Sequence, residues 1–201
     1  MCSAPFPSLN TMAGPPGPLR NPPWRRGAKT GNHRIDGEQG RAILMAPGFE
    51  FDPDRFRTGP VRRLAAYWLS KCADGRPPRR ADIKPEEIVA DLPYVYLVDV
   101  LRDPLAFRFR LVGTRVTIWS GKDYTGARIN AEEYSPNWQI VFGAYRDIVE
   151  RNAPSAAELF AAWRKREFQY YERFLGPLSE DGKTVSMIFG ALHVIEAPKR
   201  G

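Results

Sequence analysis

The chain has 201 residues, 43% of them hydrophobic and 26% charged, which is the balance of a globular domain with one well-packed core and too little length for two ordinary domains. No apolar run reaches the roughly 18 residues of a spanning helix, and prolines stand where a signal peptide would place its apolar segment, so the expected address is cytoplasmic. Two cysteines, Cys2 and Cys72, and two histidines, His33 and His193, offer neither a disulfide framework nor the spacing of a metal site, and no structural metal is expected.

The formal net charge is +7, of which +4 falls on residues 1–44 and +3 on the rest. Such a mild excess outside the N-terminal stretch is a weak electrostatic footprint, and nucleic acid is not the expected partner, although Arg62 with Arg63, Arg79 with Arg80, and Arg164-Lys165-Arg166 form local clusters. Residues 1–44 hold seven prolines and six glycines with no apolar periodicity, a composition that cannot bury enough surface to fold. The pattern changes at Ala42-Ile43-Leu44-Met45. Residues 1–48 are therefore read as a disordered Pro/Gly/Arg-rich tail, with Met45 as an alternative initiator, residues 52–196 as the domain, and 197–201 as a second tail.

In the domain, Thr58 followed by Gly59 and Pro60 marks a helix start. Val61, Leu64, Ala65, Trp68, Leu69 and Cys72 then recur at helical spacing until Gly75. Past the stiff connector Arg76-Pro77-Pro78-Arg79-Arg80, residues 82–89 read as a short helix with Pro85 near its first turn. The period then changes. Residues 94–101 are β-branched and aromatic, Asp103-Pro104 supplies turn chemistry, and 106–112 alternate, so a β-hairpin is predicted with Phe107, Phe109 and Leu111 inward and Arg108 and Arg110 outward.

Gly121 and Gly126 break up residues 114–134, within which 115–120 suit a turn or two of helix. Ser135 and Pro136 open the strongest helical stripe, formed by Trp138, Val141, Phe142, Tyr145, Ile148 and Val149 and ending before Ala153-Pro154. Strands are predicted over 156–163, 167–175 and 183–195, the last two joined through Glu180-Asp181-Gly182.

Two strands, short helices, one long helix and three strands is an order that sets an antiparallel sheet against helices. At residue level, Tyr67-Trp68, the run from Gly75 through Ile83, and Leu92-Pro93-Tyr94-Val95-Tyr96-Leu97-Val98-Asp99-Val100 resemble one divergent, bacterial, stand-alone PAS domain family. So do Phe107-Arg108-Phe109-Arg110-Leu111-Val112-Gly113-Thr114, Asp123-Tyr124-Thr125-Gly126, Tyr171-Glu172-Arg173-Phe174-Leu175-Gly176-Pro177-Leu178-Ser179 and Asp181-Gly182, covering about residues 60–192 in all. The resemblance implies an α+β fold: a five-stranded antiparallel sheet with helices packed on one face, plus an N-terminal flanking helix. It also implies a non-catalytic sensory or protein-interaction module in signal transduction, with an output partner acting in trans. Fold likeness alone does not assign function.

A PAS pocket would lie between sheet and helices, which makes Phe109, Trp119, Tyr124, Trp138, Phe142 and Tyr145 its candidate wall; ordinary core packing accounts for the same aromatic stripe. Arg110, Arg115 or Arg128 turned inward would present a bidentate fork to a small carboxylate ligand, whereas a surface ion pair is the competing account. Haem is disfavoured because the long helix has no histidine. Flavin photoadduct chemistry is disfavoured because Cys72 sits on the N-terminal helix and Cys2 in the tail. His193 reads as a packed histidine. The stripe of Val61, Leu64 and Trp68 is the candidate homodimer interface. The competing functions are a hotdog-like enzyme, which needs an inward acid or base on the long helix, and nucleic-acid binding through basic tail and loops.

Overall fold

The computed structural model describes residues 41–44, 52–135, 138–163 and 167–195, with side chains described outside 41–44 and 160–169. The expected tail over 1–40, Met45, Cys2, His33, Pro136, the Arg164-Lys165-Arg166 cluster and the end at 197–201 lie outside the described residues.

Along the chain come strand β1 (Arg41–Leu44), helix α1 (Gly59–Ser70), strands β2 (Val95–Leu101) and β3 (Ala106–Val112), helices α2 (Thr114–Ser120) and α3 (Trp138–Arg151), and strands β4 (Ser155–Trp163), β5 (Glu167–Ser179) and β6 (Val185–Ile195). The strands form one sheet in the order β1-β4-β5-β6-β2-β3, every neighbouring pair antiparallel. The five expected strands are all present. β1 is an addition, because it falls in the stretch assigned to a disordered tail. It pairs Arg41 with Glu158 through Leu44 with Ser155, occupying backbone donors and acceptors that β4 would otherwise expose at its edge.

Alternation along the strands divides the apolar residues between two layers. Val95 and Leu97 of β2, Phe174 of β5 and Phe189 of β6 pack with Val61, Leu64 and Trp68 of α1. Their neighbours Tyr96, Val98, Leu175 and Ile188 pack with Tyr145 and Ile148 of α3. The sheet is thus covered on both faces, α1 on one and α3 on the other. This is why the middle strands read as nearly continuous apolar runs. It also corrects the expected dimer interface: Val61, Leu64 and Trp68 are fully buried against the chain's own sheet. Each such side chain contributes about 1.5–3 kcal/mol by burial, so this surface is committed within the subunit.

Three local readings change for identifiable reasons. Residues 82–89 are not one helix but parts of two 3-10 turns, Arg80–Asp82 and Pro85–Glu87, separated by Ile83 and Lys84, both extended. A residue before proline is pushed out of the helical region, and proline has no N–H to continue a ladder. β5 runs on through Gly176-Pro177 because β4 stops pairing with it at Leu175. From there β5 has only β6 as a partner, where a proline is tolerated.

Leu111, expected inward, is 44% exposed. The register passes from Leu97↔Leu111 to Val98↔Phe109, leaving Arg110 as an extra residue. That β-bulge reverses the alternation beyond it, so Val112 turns toward the α3 layer in place of Leu111.

Candidate functional site

The layer between the sheet and α3 is built from rings. Phe107 meets Phe142 and Tyr145 at centroid distances of 5.0 and 5.5 Å, Trp138 meets Phe142 at 5.3 Å, and Phe109 lies 6.0 Å from Tyr124 and 5.5 Å from Tyr134. Trp119 of α2 joins through Tyr171 of β5, at 4.9 Å. All six sequence-predicted wall residues are therefore in this region, and they make ring contacts with one another or with nearby aromatic neighbours. The packing reading of the stripe describes this arrangement. Two surface concavities, of about 330 and 300 Å3, lie elsewhere, beside Arg76 with Gly182 and beside Tyr67 with Val89.

Tyr96 was not among the predicted wall residues. Its ring covers Gly190, its cross-strand partner, so closely that a Cβ on the glycine would come within 2.2 Å of the ring. Tyr96 shares a hydrogen bond with the phenol of Tyr145. Burial pushes the Tyr96 phenol up to about 12 and raises Tyr145 and Tyr134 as well. Tyr171 is raised by the same cause. The phenols are consequently neutral at physiological pH, able both to donate and to accept.

The predicted anion contacts are not in this layer. Arg110, Arg115 and Arg128 are exposed. Arg110 reaches Asp99 at 3.4 Å, and Arg108 holds the other oxygen of Asp99 at 2.9 Å, so the ion-pair account of the Phe-Arg-Phe-Arg run is the one realised. Arg128 uses its backbone N–H on Glu133, at 2.9 Å. Among the described residues the buried arginine is Arg173, on β5, 7% exposed, with its Nε buried and without a hydrogen-bond acceptor there.

Glu172, beside it in sequence and 3% exposed, turns to the opposite face. There its two carboxylate oxygens accept the backbone N–H groups of Arg57 and Thr58, both at 2.7 Å. This acid, rather than the Thr58 side chain, receives the start of α1; the Thr58 hydroxyl oxygen is buried without a partner among the described residues. Parity contained the signal for both residues. Arg173 shares its face with Leu175 and Glu172 with Phe174, so a central strand covered on both sides must bury both charges.

Cys72 packs on the α1 side of the sheet. Its Sγ lies 3.6 Å from the Trp68 carbonyl and burial pushes the thiol up to about 12, which makes it a poor nucleophile. His193 stacks on Tyr94 at 4.8 Å. Among the described residues no group of His, Cys, Asp and Glu is arranged to hold a metal ion, and no helix is long and apolar enough to cross a membrane.

No curated protein matches the chain. Among solved structures, an RNA-binding Light-Oxygen-Voltage receptor is similar at a TM-score of 0.43 and 11% identity, over 79% of this chain and 39% of that one. The chain therefore spans well under half the length of that protein. The family model described as PAS domain matches residues 56–193, from the buried Phe56 ahead of α1 into the final strand. With that match running through the same strands and helices that build the two layers, the chain belongs to the PAS domain family.

Proposed function

We propose that this PAS domain is a non-catalytic sensory or protein-interaction module in signal transduction, receiving a small ligand between sheet and α3 and passing its state to a separate protein. The supporting observation is the aromatic layer between sheet and α3, inside the region the family accounts for. Self-association would use a surface other than the buried stripe of α1. The proposed address is the cytoplasm.

The proposal that it lacks catalysis rests on the inward face of α3, which presents Trp138, Phe142, Tyr145 and Ile148. Glu150 is exposed and lies 3.6 Å from Arg146. A hotdog-like enzyme needs an acid or base directed inward from this helix. The buried acids among the described residues, Asp91, Asp99 and Glu172, are already engaged, by Arg63 at 2.6 Å, by Arg108 at 2.9 Å and by the chain ahead of α1.

Native mass spectrometry of the freshly purified full chain, set against its denatured mass and its light-scattering mass, tests the reading. A bound small molecule that leaves on denaturation, or a concentration-dependent dimer, is the expected result. A bare polypeptide that stays monomeric at every concentration removes both the ligand and the self-association.

A further inference from the structure

Among the described residues the guanidinium of Arg173 stands apart. An arginine 7% exposed carries a desolvation cost that interiors offset with a carboxylate or a full set of hydrogen bonds. Here neither is present among the described residues. Arg173 forms no ion pair with them, and its buried Nε–H has no acceptor. Glu172, the adjacent acid, is spent on the other face.

The groups that feel the charge of Arg173 are the phenols of Tyr96, Tyr134, Tyr145 and Tyr171. Burial keeps those phenols protonated, so none of them serves as a counter-ion. One O–H of the Tyr96–Tyr145 pair is spent on the hydrogen bond they share, and the other phenols of the layer keep an O–H that can donate to an anion. Tyr96 and Tyr145 are buried, whereas Tyr134, Tyr171 and Trp119, the ring partner of Tyr171, are half-buried.

We propose that Arg173 is the anion-binding group of the interior, and that the ligand is a small free carboxylate taken by its planar fork with tyrosine hydroxyls completing the shell. Guanidinium and carboxylate match in geometry, and their charge-assisted hydrogen bonds are about twice as strong as neutral ones. The assignment deepens the sensory reading and rests on it for a biological role. It replaces Arg110, Arg115 and Arg128 with a residue that the fold places inside.

Two probes, sodium acetate and sodium succinate, are titrated into the full chain against sodium chloride at equal ionic strength. Thermal unfolding and an arginine-selective 15N spectrum are recorded. The expected result is a saturable rise in Tm with at least one carboxylate and a shift of the Arg173 Nε–H resonance. Arg173→Met abolishes both, and Arg173→Lys, which keeps charge but not the fork, weakens binding about tenfold or more. A wild-type chain whose Tm and Nε–H signals respond to neither carboxylate overturns the assignment, as does an unchanged Tm response in Arg173→Lys.

Should Arg173→Met fail to fold, the wild-type resonance and the lysine variant decide. A dimer or a neutral bound molecule together with no carboxylate response leaves the sensory reading standing without this site. A carboxylate response in a chain that is always monomeric, with no change in backbone hydrogen exchange outside the Arg173 layer, keeps the site and removes the sensory role.

Discussion

The indole of Trp68 lies directly across Gly176, with its Nε1–H donating to the carbonyl of Pro177 at 3.0 Å. A Cβ on Gly176 would stand 2.5 Å from that nitrogen. Trp68 is fully buried and cannot retreat without opening the α1 layer, where its ring also meets Phe174 at 5.6 Å. Gly176→Ala should therefore destabilise the domain by about 2–3 kcal/mol through overpacking. Urea unfolding, with the midpoint lowered at unchanged slope, is the measurement. A midpoint equal to the wild type would show that α1 yields freely.

Glu172 ties the start of α1 to the centre of the sheet. Replacing it with alanine strands two backbone N–H groups and should cost about 2 kcal/mol or more, whereas Glu172→Gln keeps an acceptor oxygen and should cost about half as much. Hydrogen exchange in the first turn of α1 should rise with the same ranking. Equal stability for the alanine and glutamine variants would mean that the carboxylate does not hold the helix.

The raised phenols make the fold sensitive to alkali. An unfolded tyrosine ionises near pH 10, while Tyr96 stays protonated to about 12 and Tyr134, Tyr145 and Tyr171 are also raised. The unfolded state then releases protons that the native state keeps. The stabilisation is complete below about pH 10 and is lost as pH climbs through the folded values. Unfolding free energy should fall gently from about pH 8.5, where the unfolded Cys72 thiol ionises while the native one, raised to about 12, keeps its proton, and fall steeply above about pH 10 as the tyrosines add to it. Absorbance near 295 nm should show part of the tyrosine titration delayed until the chain unfolds.

β1 should protect an edge. Removing residues 1–44 takes it away, and removing 1–40 leaves it in place. The longer deletion is expected to lower Tm by a few degrees and to promote association through β4, with the shorter one matching the full chain. Identical melting curves and light-scattering masses for the two deletions would show that pairing with β4 contributes nothing in solution.

Strand and helix order was readable because the periods are distinct: the stripe of α3 and the alternation of β3 each point to one element. What sequence reasoning missed came from tertiary context. Alternation predicts that Leu111 faces inward, and a single extra residue at Arg110 reverses it. The apolar face of α1 is equally compatible with a partner or with a sheet, and only the packed molecule decides between them. The aromatic layer was legible because large rings seldom sit elsewhere. The charge of Arg173 in it was not, because Arg173 stands next to Glu172 in sequence, and adjacent opposite charges suggest a solvated pair until both faces of β5 are known to be covered.

Because successive side chains on a strand stand back to back, the anchor of α1 and the Arg173 guanidinium of the opposite layer are separated by a single peptide bond. The backbone there is bonded to β4 through Glu158↔Glu172 and Ala157↔Arg173, and to β6 through His193 and Leu192. It cannot swivel one residue alone. Any tilt of this stretch that draws Arg173 toward an incoming charge must move the Glu172 carboxylate in the other direction, so the shortest lever between the two sides of the molecule is one residue long.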